Sequence, residues 1–127
     1  MASLQTIEQQ RAKHALEEVN AWKGKGASDQ KELLSYVTGI PAMILMSGFG
    51  QTCAFYKANK KGNHAEVLNA LENWLQKGDL MAFITESSAQ DYQLAQAESL
   101  AYLNWLKKFA KAYLKDDSEG ANHVATA

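Results

Sequence analysis

At 127 residues the chain has the length of about one domain, long enough to bury about two-thirds of its unfolded surface in a single core. With 46% apolar and 21% charged residues it is composed like a globular domain, and its single Cys excludes an internal disulfide and fits a reducing compartment. Thirteen basic residues against fourteen acidic ones give a net charge of -1, which excludes nucleic-acid binding through overall charge but leaves room for a local basic face.

The first predicted element is an amphipathic helix from about Ser3, a candidate N-cap, to Lys23. Leu4, Ile7, Ala15, Val19 and Trp22 share one side of it, and the glycines of KGKGAS end it. A second, short helix starts at Ser28 or Asp29 and stops at Gly39. Pro41 then opens a third, because proline is tolerated in a first helical turn, and Ile40, Met43, Ile44 and Leu45 make it a buried one. After the break at Ser47 to Gly50 a fourth helix covers about Gln51 to Asn59.

The pair Asn63 and Glu66 has capping-box spacing and starts a fifth helix, with Val67, Leu68, Leu71, Trp74 and Leu75 at helical intervals and Gly78 beyond its end. The segment DLMAFITE suits a short helix or one strand. With no second strand pattern to pair with, helix or irregular chain is expected. The longest helix follows, about Asp91 to Leu114. The fold class is therefore all-α, a single domain of about six helices over residues 1–116, with a disordered polar tail over 117–127.

No apolar run is long enough to cross a membrane, and the N-terminus has no signal-peptide core, so a cytoplasmic protein is expected. Catalytic chemistry finds little support. Cys53 lies in a helical stretch beside Phe55 and reads as a small core hydrophobe. His14 and Glu18 share a helix face but supply only two ligands where a structural zinc site takes four. His14 is expected to pair with a carboxylate or to face solvent, and no metal or cofactor is expected. Gly48-Phe49-Gly50-Gln51 before a helix invites a phosphate-loop reading. It lacks the preceding strand and the Gly-Lys-Ser/Thr, so its glycines read as a tight turn and a close packing contact.

The charges on the two terminal helices say more. On the first, Glu8, Arg11 and Glu18 project at about 100°, 40° and 20° from Ile7, in or beside the apolar arc. Either they form an internal pair, as Glu8 and Arg11 can at a spacing of three, or this face meets a partner. On the last helix Lys107, Lys108, Lys111 and Lys115 occupy one stripe about 100° wide with no acid in it. Lys57, Lys60 and Lys61 cluster at the end of the fourth helix. These lysines make either a solvated surface or a face that tracks phosphates.

Three stretches also resemble the small-subunit family of the type III-B CRISPR effector, the Cmr complex. They are Ile7-Glu8-Gln9-Gln10-Arg11-Ala12 through Ala15, then Ile40-Pro41-Ala42-Met43-Ile44 with Gly48-Phe49-Gly50-Gln51-Thr52-Cys53-Ala54-Phe55, and Glu98 through Ala110 (ESLAYLNWLKKFA). Phe49 stands where that family usually has Leu, Ser99 where Ala is common, and Lys108 where Arg is common. The resemblance implies an all-helical, non-catalytic subunit whose copies stack in a minor filament beside the backbone subunits that hold the guide RNA. Target RNA lies between the filaments and is cut by the backbone subunit. Lys107, Lys108 and Lys111 are then the candidate RNA contacts, with Arg11 and Lys57 as further candidates. The partners implied are the other Cmr subunits, copies of this chain, and guide and target RNA, with no membrane.

Overall fold

The computed structural model describes residues 4–116, so Ser3 and the tail expected over 117–127 lie outside the described residues. Among the described residues the elements are α1 (Ile7–Trp22), α2 (Ala27–Ser47), α3 (Phe49–Ala58), α4 (His64–Leu75), α5 (Leu80–Glu86) and α6 (Ala89–Tyr113), with no strand. The all-α expectation holds, and DLMAFITE is a helix, α5, capped by the Asp79 carboxylate on the Met81 N–H.

The main correction concerns α2. The two short helices expected on either side of Gly39 are one helix, and Pro41 lies inside it. Proline in a helix interior removes a backbone bond at a cost of about 3 kcal/mol. Here Leu33, Val37, Ile40 and Ile44 recur at i, i+4, i+7 and i+11 and are all buried, so packing outweighs that local loss.

The ends of the helices differ from expectation as well. α1 starts at Thr6, whose hydroxyl accepts the Gln9 N–H while the Gln9 side chain accepts the Thr6 N–H, a complete capping box. α2 is preceded by Gly26 with no side-chain cap, not by Ser28 or Asp29. Asn63 does not cap α4, because its amide is drawn away to Asp29 and Glu32. Gln76, at φ 55°, takes the left-handed position at the end of α4 that was expected of Gly78.

α6 is the spine of the domain and packs chiefly on α1 and α2, with α4 alongside. Its buried line of Tyr102, Leu103, Leu106 and Ala110 meets Val19 and Trp22 of α1, Leu33 and Val37 of α2, and Phe49 of α3 in one core. The opposite side of α6 therefore faces outward and carries the lysines.

The Gly48-Phe49-Gly50 turn is held from the first half of α6. The Phe49 N–H donates to Gln96 Oε1 at 3.0 Å and the Gly50 N–H to the Tyr92 hydroxyl at 2.7 Å. A Cβ on Gly50 would lie 3.0 Å from Ile84 and 3.1 Å from the Tyr92 hydroxyl, so close packing accounts for that glycine. The amides that a phosphate would need at this helix start are already taken by α6.

Candidate nucleic-acid interface

Asn104, Lys108 and Lys111 lie at i, i+4 and i+7 along α6, all exposed, with Lys107 half-buried beside them. Lys115, expected in the same stripe, is exposed but lies past the end of α6 at Tyr113, beyond the extended backbone of Leu114. At 1.5 Å per residue Asn104 to Lys111 spans about 10 Å of helix axis. Among the described residues none of Lys107, Lys108 and Lys111 enters an ion pair. Lys23 at the end of α1 adds a further cation near this end, its Nζ 5.3 Å from the centre of the Tyr113 ring. The Lys115 N–H donates to the Gln30 side-chain oxygen at 2.9 Å, which ties the chain just past α6 to the start of α2.

Arg11 is placed differently from the lysines. Its Nε and Nη2 donate to both oxygens of Glu98 at 2.6 and 2.7 Å, and its Nη1 donates to Glu8 at 2.6 Å. Of the two readings open for this face, the structure shows the internal pair. Glu98 also accepts the Trp74 indole N–H at 2.9 Å, and Glu8 accepts that of Trp105 at 3.0 Å. The Arg11 guanidinium holds the Glu98 carboxyl below its ordinary value, against the opposing effect of burial. Two of the sequence motifs thus meet in space: Glu8 and Arg11 come from the first, Glu98 and Trp105 from the third. Glu98 and Trp74 were missed as partners because 87 and 63 positions separate them from Arg11, and no local spacing signals such a contact.

His14 has no carboxylate partner in an ion pair among the described residues; it is half-buried and lines an open groove with Gln10, Lys13 and Trp74. Its Nδ1 lies 2.8 Å from the hydroxyl of fully buried Tyr102, and its ring meets those of Trp74 and Tyr102 edge-on. Tyr102 and Trp74 are themselves stacked, 5.4 Å apart and 8° from parallel. Cys53 is buried as expected, and burial, with the charge of Glu72, pushes its thiol up to about 12. Thiolate is therefore scarce at neutral pH.

Lys57 belongs to another region, the corner where α3 ends and α4 begins, with Lys60 and Lys61 in the connection. Glu32 fixes this corner by accepting the Asn63 N–H at 2.6 Å and its side-chain amide at 2.9 Å. His64 stacks on Tyr36, 4.0 Å between centroids, and meets the edges of Phe55 and Tyr56.

No helix among the described residues is long and apolar enough to cross a membrane. The family model described as CRISPR-associated protein (Cas_Cmr5) matches residues 7–113. Among solved structures the chain is similar to a crystal structure of a CRISPR-associated Cmr5 family protein from Thermus thermophilus. The two are 25% identical over 88% of this chain and 100% of that one, with a TM-score of 0.80. With a match that runs from the start of α1 to the end of α6, the chain belongs to the Cmr5 family, the small-subunit family of the type III-B Cmr complex.

Proposed function

We propose that this chain is a non-catalytic small subunit of the Cmr ribonucleoprotein effector, acting in the cytoplasm in antiviral, RNA-guided RNA cleavage by other subunits. Copies of it stack in the minor filament beside the backbone subunits, and Lys107, Lys108 and Lys111 hold target RNA by its phosphates. The observation that carries this reading is the unpaired lysine face of α6, mounted on the helix most firmly held by the core. Contacts of this kind give affinity without reading bases, and repetition along a filament multiplies a weak contact into avidity. Lys57 is the second candidate contact. Arg11 serves by fixing α1 to α6 at Glu98, since two carboxylates already take up its charge. The high thiol value of Cys53 and the contact of His14 Nδ1 with the Tyr102 hydroxyl favour a non-catalytic role.

Charge reversal tests the reading. In the assembled complex, Lys107→Glu with Lys108→Glu and Lys111→Glu is expected to weaken target-RNA binding about ten-fold or more at low salt. It should also flatten the dependence of log affinity on log salt by about 0.7 for each phosphate that is no longer neutralised. A second reading, a scaffold that touches only protein, is favoured by Leu45 and Met46 at the end of α2, which are 73% and 86% exposed. Unchanged RNA affinity in the triple variant, with assembly abolished by Leu45→Glu, would establish that reading instead.

A further inference from the structure

Between the end of α3 and the first turns of α4 lies an open groove of about 290 Å³. Tyr56 and Leu68, both nearly fully buried, form its apolar floor, and the amides of Asn59 and Asn69 line it. Among the described residues Lys57 and Lys60 are the only charged ones that line it, and Lys57 also borders a neighbouring groove lined by Glu72 and Asp79. Of the acids nearby, Glu32 and Asp29 hold Asn63, and Glu66 lies 3.6 Å from Lys25. Glu72 and Asp79, which share the neighbouring groove with Lys57, accept the backbone N–H groups of Leu80 and Met81. Neither Lys57 nor Lys60 enters an ion pair among the described residues. The Asn59 amide N–H donates to the Phe55 carbonyl at 2.7 Å, which leaves its oxygen as an acceptor, and the exposed Asn69 side chain makes no hydrogen bond among the described residues.

The site is also built in advance. Gly62 turns the connection at φ 72° and presses its backbone on Glu32 and Tyr36, and the Asn63 bonds lock that turn. The lysines flanking the groove therefore stand on an ordered base. An apolar floor, amides able to reach a base edge, and cations on the rim are the parts a single-stranded polynucleotide site combines.

We propose that this groove is a second polynucleotide contact, in which one unpaired base lies on Tyr56 and Leu68 while Lys57 and Lys60 hold the flanking phosphates. The proposal rests on the reading that this chain contacts RNA, but it places that contact away from α6 and adds a base to the phosphates.

The test is a titration of the full chain with a short oligouridylate at low salt, followed by NMR. The expected result is a shift of the Asn59 and Asn69 side-chain amides and the Leu68 methyls. Ala65→Trp, which fills the groove without changing its charge, should weaken binding about ten-fold, and Lys57→Glu with Lys60→Glu should do so at least equally. The α6 triple variant should leave the groove signals responding. No groove shift at saturating oligonucleotide would overturn the proposal, and so would the same shifts produced by inorganic phosphate alone. Wild-type affinity in both groove variants would overturn it too. Loss of binding in the α6 variant alone would remove the groove and leave the α6 reading standing. Loss in the groove variants alone would do the reverse.

Discussion

Replacing Glu98 with Ala is expected to cost the fold about 3 kcal/mol, read from the shift of the urea unfolding midpoint at unchanged slope. The Arg11 side chain is only 15% exposed, and without Glu98 it keeps a single carboxylate, that of Glu8. The Trp74 indole N–H loses its acceptor in the same step. Breaking a fully buried ion pair costs about 3–5 kcal/mol. The lower end applies because the Glu98 side chain is 29% exposed and water screens it in part. The pH dependence follows from the same contact. Glu98 titrates below its ordinary value in the folded state, so the unfolded chain takes up its proton first as pH falls. Its contribution is full above about pH 4.5 and is lost as pH falls through the lower, folded value. The acid limb of the stability curve should therefore be shallower in the Ala variant. An acid limb identical to wild type would mean that the network adds no net stability.

Gly62→Ala should destabilise by a similar amount, about 3 kcal/mol. The residue sits at φ 72°, where a side chain costs about 1–2 kcal/mol. Its Cβ would also meet Glu32 Oε1, the same oxygen that accepts both Asn63 bonds. Moving that carboxylate leaves the buried Asn63 amide short of an acceptor, and a hydrogen bond to a charged group is worth about 1.5–3 kcal/mol. Gly26→Ala, with open space at its Cβ and φ -64°, is the matched control and should change little. Equal effects of the two substitutions in thermal unfolding would remove Glu32 as the cause.

What the sequence reveals of this fold is what travels along one helix. Leu68, Leu71 and Leu75 announce α4, and the Lys107, Lys108 and Lys111 face of α6 follows from 3.6-residue periodicity, whereas Lys115 falls off it because the helix ends at Tyr113. What stays hidden is decided by partners far away in the chain. Pro41 looks like a helix start because local rules count its missing N–H, whereas the core packing of Ile40 and Ile44 decides the outcome. Asn63 looks like a cap until Asp29 and Glu32 arrive from α2. The placement of Glu8 and Arg11 off the polar side of α1 does signal a pairing, but Glu98 and the two tryptophans that complete it are visible only in three dimensions. The groove at the α3–α4 corner is of the same kind, since it exists only through the angle at which two helices meet.

The central claim is that the α6 lysine face touches RNA in the assembled effector. Photo-cross-linking tests it most directly: the complex is loaded with target RNA carrying 4-thiouridine, irradiated, digested, and the cross-linked peptides are identified by mass spectrometry. The account predicts cross-links on this subunit in the peptides around Lys107, Lys108 and Lys111. Cross-links confined to the other subunits, with none on this chain, would contradict it.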